Sequence, residues 1–91
     1  MGETCTSRLT LKNRSGLHAR PATDFATTAA GFTAEVVVRA NNEQADGKSV
    51  MELMLLAATQ GTELEVVCTG DDARACLDHL AALVARGFDE D

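Results

Sequence analysis

The run Asn13-Arg14-Ser15-Gly16-Leu17-His18-Ala19-Arg20-Pro21-Ala22 gathers the groups best suited to chemistry in this chain. An imidazole nitrogen is a competent nucleophile near neutral pH, because its unperturbed pKa is about 6.5. The residues after His18 are patterned as a helix, so the imidazole stands at a helix start. Backbone N–H groups there lack intrahelical acceptors, and the helix dipole favours negative charge. An anion such as a phosphoryl group fits that position, with Arg20 as a second positive partner. Arg20 in the first turn opposes the dipole unless an anion offsets it. Gly16 loosens the approach, and Pro21 is tolerated where no acceptor exists for its missing N–H. A phosphoramidate on His18 would transfer readily, which suits a relay. The same residues also read as an exposed loop histidine that merely caps the helix.

A second candidate is Ser49. It stands before an apolar run, and Glu52 follows at the spacing of a capping box. Its structural role is an N-cap. Phosphorylation would place about two negative charges there, beside Lys48 and the apolar surface that follows. Val50, Met51, Leu53, Met54, Leu55 and Leu56 cover more than one helix face, so part of the stripe must be exposed. Val50, Met51, Met54 and Leu55 are the expected docking patch, and Met suits a surface that meets several partners. Cys76 and His79 are three apart on a helix, but no other ligands cluster with them, so no metal is expected. No cofactor is expected either. The sequence shows no Ser/His/Asp arrangement and no Gly-rich phosphate loop. Nor does it show a second acid/base for turnover. His18 would accept and pass on a group, a carrier role rather than a multiple-turnover enzyme.

Composition narrows the setting. Ninety-one residues make one expected domain, 1–91. Hydrophobic residues are 45% but aromatics only 3%, so the core must be aliphatic, with Phe25, Phe32 and Phe88 as its rings. The net charge of -6 argues against a general nucleic-acid binder and against an anionic membrane surface. No apolar run is long enough to span a membrane, and the first residues lack the pattern of a signal peptide. Cys5, Cys68 and Cys76 are odd in number without a C-x-x-C, and read as reduced, buried thiols of a cytoplasmic protein.

The elements that position these groups follow from periodicity. Residues 5–12 alternate, with Cys5, Ser7, Leu9 and Leu11 inward. A helix over 19–30 places Ala22, Phe25, Ala26 and Ala29 on one face and stops at Gly31. Residues 32–39 form a second strand, Asn41-Asn42 a turn, and Glu43–Asp46 a polar edge strand. A helix over 50–58 follows Ser49. Residues 62–69 form a further strand with Leu64, Val66 and Cys68 inward. Asp71-Asp72 caps a last helix over 73–86, and the Phe88–Asp91 tail is read as solvated. The order β-α-β-β-α-β-α predicts an α+β domain with helices packed on one side of an antiparallel sheet.

Gly16-Leu17-His18-Ala19-Arg20-Pro21-Ala22 resembles the active-centre motif of the HPr family, the histidine phosphocarriers of the bacterial phosphotransferase system. Lys48-Ser49-Val50-Met51 resembles the family's regulatory-serine segment. Gln60-Gly61-Thr62-Glu63-Leu64 and Gly70-Asp71-Asp72-Ala73 are similar to its last strand and last helix start. The resemblance implies an open-faced β-sandwich, a four-stranded antiparallel sheet with three helices on one face. It implies that His18 is phosphorylated on Nδ1 by enzyme I and passes the group to an enzyme IIA domain, within sugar transport. Arg20 would neutralise the transferring phosphate, with Ser15, Gly16 and Ala19 around it. Ser49 is similar to the serine modified by a dedicated kinase and restored by a phosphatase, and Val50, Met51, Met54 and Leu55 match the shared docking surface. A monomer is implied. Thr27 and Ala30 stand where sugar-transport members often carry lysines, and the ending Gly87–Asp91 is similar to the nitrogen-branch paralogue NPr. A nitrogen-branch regulatory role, or a non-transferring binding module controlled at Ser49, are therefore the alternatives.

Overall fold

The computed structural model describes residues 2–90. Met1 and Asp91, the ends of the expected domain and acidic tail, lie outside the described residues. The elements run β1 (Glu3–Thr10), α1 (Ala19–Ala30), β2 (Glu35–Ala40), β3 (Glu43–Asp46), α2 (Val50–Leu55), β4 (Glu63–Gly70) and α3 (Ala73–Ala85), closed by a single 3-10 turn (Gly87–Asp89). The four strands form one antiparallel sheet in the order β1-β4-β2-β3. The fold is an open sheet with three helices on one face.

Side-chain alternation explains why one sheet face is covered and the other bare. Cys5, Val36, Val38, Ala45, Leu64, Val66 and Cys68 are buried beneath the helices. Across the strands Cys5 faces Cys68, and Val38 faces Val66. The other face carries charges, with Arg39–Glu65 at 3.1 Å and the looser Arg8–Glu63 at 3.8 Å. Such exposed pairs contribute at most about 1 kcal/mol each. The helices answer with alanines and leucines. Ala22, Phe25, Ala26 and Ala29 come from α1, Leu53 from α2, and Ala73, Cys76, Leu77, Leu80, Leu83 and Val84 from α3. Phe25 and Phe88 are core rings, but Phe32 is half-buried and tilts against His79, ring centroids 5.2 Å apart. All three cysteines are buried free thiols. Burial pushes the Cys68 thiol up to about 12 and raises Cys76 as well, so both stay protonated.

Two boundaries lie three residues from the periodic reading. The second strand starts at Glu35 rather than residue 32, because Phe32 completes the tightened end of α1: Gly31 N–H donates to Thr28 O and Phe32 N–H to Ala29 O. Gly31 is the C-cap of α1, as expected, in right-handed conformation (φ -74). Helix α2 ends at Leu55, short of Ala58, because Ala57 turns left-handed (φ +54). Asn41 Nδ2, from the β2–β3 turn, then caps the carbonyl of Leu56 at 3.0 Å.

Asp72 occupies the N-cap position of α3 yet makes no capping bond with its side chain. Its carboxylate instead accepts from Thr33 N–H at 2.9 Å and Ala34 N–H at 2.8 Å, stapling the approach to β2. These N–H groups hold the carboxyl below its usual range. A group whose folded pKa is depressed contributes stability above its unfolded value of about 3.9, lost as pH falls through the folded value. Asp72→Ala is therefore expected to lower the thermal midpoint at pH 7. The gap to the parent should shrink as pH falls below that unfolded value. Melts of parent and variant at pH 7 and at successively lower pH check this; a gap independent of pH would mean the carboxylate charge is not what staples Thr33 and Ala34.

Candidate functional site

The loop between β1 and α1 is built by stitching it to the segment after α2. Leu11 N–H donates to Thr62 O (2.9 Å), Gly61 N–H to Leu11 O (2.8 Å) and Gln60 Nε2 to Lys12 O (3.0 Å). Leu17 N–H donates to Ala58 O at 2.9 Å while its side chain is buried. Gly16 lies between these contacts with φ +64. A Cβ there would strike Ala58 O and come within 2.8 Å of Thr59 Cα, so only glycine lets the backbones approach this closely.

His18 follows as the N-cap of α1, in extended conformation (φ -87, ψ -166). Its side chain makes no capping bond, so the ring is not spent on the helix and stands exposed. The first helical bond runs from Ala22 N–H to His18 O (2.8 Å). Pro21 has no N–H to donate. Among the described residues this leaves the N–H groups of Ala19 and Arg20 without acceptors, at the positive end of the helix dipole. Arg20 is exposed beside them and makes no hydrogen bond or ion pair with the described residues. Between residues 10 and 23 the chain carries Lys12, Arg14 and Arg20 and no acid, a basic stretch in a protein of net charge -6. An exposed imidazole, with two N–H donors and a guanidinium that have no partner among the described residues, can accept and hold a phosphoryl anion.

Ser15 has a different environment from the one the sequence suggests. Its hydroxyl donates to Glu90 Oε1 at 2.8 Å. Asn13, buried in the loop, donates through Nδ2 to Gly16 O (2.7 Å) and to the same Glu90 oxygen (2.9 Å). These bonds, with the Arg20 charge adding to them, hold the Glu90 carboxyl below its usual range. The Asn13 Oδ1 atom is buried without a partner. The tail is thus not simply solvated. Phe88 is buried with φ +56, and Gly87 (φ +65) would place a Cβ 3.8 Å from that of Asn13, so the tail folds back onto the loop. Neither Asn13 nor Glu90 stood out in the sequence as a site residue; the only signal was Phe88, an aromatic in an otherwise acidic ending.

Ser49 caps α2 as its spacing predicts, accepting from Glu52 N–H at 3.2 Å, and Glu52 Oε1 reaches back to Asp46 N–H at 2.9 Å. Lys48 turns away, donating to Phe32 O at 2.8 Å. Of the expected docking patch, Met51 (73%), Leu55 (74%) and Met54 (36%) are exposed, whereas Val50 packs against the core. Cys76 is buried while His79 is exposed. Gly16→Ala should destabilise the fold by about 1–3 kcal/mol, from the left-handed backbone and the collision with Ala58 and Thr59. Urea unfolding measures it; a neutral substitution would show that the two loops are not locked together at this point.

The family described as "PTS HPr component phosphorylation site" matches residues 5–86. The phosphocarrier protein HPr of Haemophilus influenzae is 40% identical over 70 residues, covering 77% of this chain and 82% of its own length. The phosphocarrier protein NPr of Shewanella violacea is 39% identical over 83 residues, covering 91% of each. The crystal structure of HPr-C-His from Thermoanaerobacter tengcongensis is similar with a TM-score of 0.92 and 33% identity, over 96% of this chain and 98% of that one.

Proposed function

The chain belongs to the HPr family of phosphocarriers of the phosphotransferase system, and from that premise we propose that His18 is the atom-bearing residue of the relay. It exchanges phosphoryl groups with other proteins of that system. The observation that carries the reading is the exposed His18 ring, making no capping bond, at a helix start whose Ala19 and Arg20 N–H groups have no acceptor among the described residues.

In the forward step a neutral His18 nitrogen, Nδ1 in our reading, attacks the phosphorus of a phosphohistidine on enzyme I. The new P–N bond forms as the donor's P–N bond breaks, and the electron pair stays on the donor imidazole. The Ala19 and Arg20 N–H groups and the Arg20 guanidinium meet the transferring oxygens, where charge is concentrated. The same step in reverse, on an enzyme IIA histidine, unloads the carrier. Exposure of His18 matters because another protein must close over it and exclude water. Met51, Met54 and Leu55 would give that partner an apolar seat; their exposure supports this, and the bonds between the 11–17 and 58–62 segments tie the His18 loop to the segment after α2. A phosphate on Ser49, added by a serine kinase and removed by a phosphatase, would load charge beside this seat and weaken docking. The chain is read as a single-domain, cytoplasmic monomer; the described residues hold no helix long and apolar enough to cross a membrane. A nitrogen-branch role is compatible with the NPr relative but is not favoured over the HPr reading.

Incubation with enzyme I and phosphoenolpyruvate should give an acid-labile adduct on the parent and none on His18→Ala. Equal labelling of the two proteins would remove His18 from this role. Arg20→Ala should keep the parent's unfolding curve and slow transfer about tenfold or more, as loss of a charge-stabilising group does. Stopped-flow transfer rates that match the parent would show that Arg20 does not touch the moving charge.

A further inference from the structure

The His18 ring makes no capping bond, so the backbone that carries it sets where it stands. On the helix side that backbone is held by Ala22 N–H, which donates to His18 O at 2.8 Å. On the loop side it is held through Gly16. The Asn13 carbonyl accepts from Gly16 N–H at 3.2 Å, and Asn13 Nδ2 donates to Gly16 O at 2.7 Å. One residue thus grips both peptide groups of Gly16. The Gly16–Leu17 peptide is fixed again at its other end, where Leu17 N–H donates to Ala58 O at 2.9 Å. The same Asn13 amide carries a defect: the side chain is buried, and its Oδ1 has no partner. Turning the amide over would not relieve this. It would set Oδ1 against Gly16 O and the Glu90 carboxylate, acceptors that Nδ2 now serves at 2.7 and 2.9 Å. A buried polar atom left unpaired is destabilising, so its presence calls for a reason other than stability.

We infer that Asn13 is a positioning residue for transfer at His18: by clamping Gly16 it fixes the Gly16–Leu17 peptide and so holds the imidazole at the start of α1. This rests on the carrier reading of His18. Gly16 has φ +64 and no Cβ, and glycine has the widest backbone freedom of any residue. That freedom falls two residues before the nucleophile. The clamp removes it, and Gly16 keeps the close approach to Ala58 and Thr59 that requires a glycine. An attacking atom misplaced by about 1 Å loses up to about a hundredfold in rate. Asn13 is only 3% exposed, so a docking partner does not rest on it. Its effect therefore falls on the transfer step and not on the encounter.

The test follows transfer from phosphorylated enzyme I, at increasing enzyme I concentration, to the parent, Asn13→Ala and Asn13→Asp. The temperature is one at which unfolding curves show each protein folded. Asp keeps the size of the side chain, but as a carboxylate it offers Gly16 O only acceptors. Both variants should reach a limiting rate roughly tenfold below the parent's, with the half-saturating concentration unchanged. Asp72→Ala, which loosens the fold at Thr33 and Ala34, should keep the parent's limiting rate. A limiting rate equal to the parent's in both Asn13 variants, a loss confined to the half-saturating concentration, or the same loss in Asp72→Ala overturns the positioning role and leaves the carrier reading standing. A second readout needs no variant. In the parent, NMR should show the Asn13 side-chain amide exchanging with solvent far more slowly than a free amide; exchange at the free rate overturns the clamp. If His18→Ala takes label as the parent does, the carrier reading is overturned and this inference with it.

Discussion

The backbone approach at Gly16 is the constraint on which the rest depends. The loop before α1 must touch the segment after α2, and the Leu17–Ala58 hydrogen bond at 2.9 Å is possible only where no Cβ intervenes. That contact sets where His18 stands relative to the exposed end of α2. It ties the exposed His18 ring to the segment that follows the exposed apolar side chains of α2. Either half alone would be an ordinary surface feature. Two loops and a glycine hold the segments that carry them together; under the proposed function a partner would cover both.

The burial pattern shows how a small domain can leave that face open. Ala22, Ala26 and Ala29 let α1 lie close to the layer beneath, and Phe25, Leu64, Leu80 and Val66 fill the space between helices and sheet. The core closes without help from Met51 or Leu55, so their exposure costs the fold little. Asn41 and Ser49 hold the two ends of α2, which has only six residues and would not persist by intrinsic preference. The helix that carries Met51, Met54 and Leu55 is thus held at both ends by residues lying outside it.

Much of this was legible in the sequence, because it rests on short-range rules. The alternation in residues 5–12 and 62–69, the spacing of Ala22, Phe25 and Ala29, and the Ser49–Glu52 capping box each follow from local geometry. The loop motif around His18 was legible for the same reason. What was not legible depends on residues far apart meeting in space. Asp72 reads locally as a helix cap, but Thr33 and Ala34 lie nearby in the fold and claim its carboxylate. The Phe88–Glu90 ending reads as solvated, but a buried ring turns it back toward Asn13 and Ser15, 77 and 75 residues earlier. The end of α2 was misplaced because a left-handed alanine at 57 has no sequence signature.

The pairing of β1 with β4 sets the order in which such a chain can be assembled. Glu3 lies opposite Gly70, and β4 is also the strand on which β2 pairs. Until residue 70 has been made, β1 has no neighbour, and the β2–β3 hairpin has no sheet to join. Closing a loop of that length carries an entropic cost that local contacts do not offset early. The interior of the sheet therefore forms in one late step, after α1, α2 and the active loop have all left the ribosome. A chain interrupted before that strand holds a complete His18 motif and nothing to hold it in place. The loop that carries His18 is therefore fixed in place only when the last third of the protein exists.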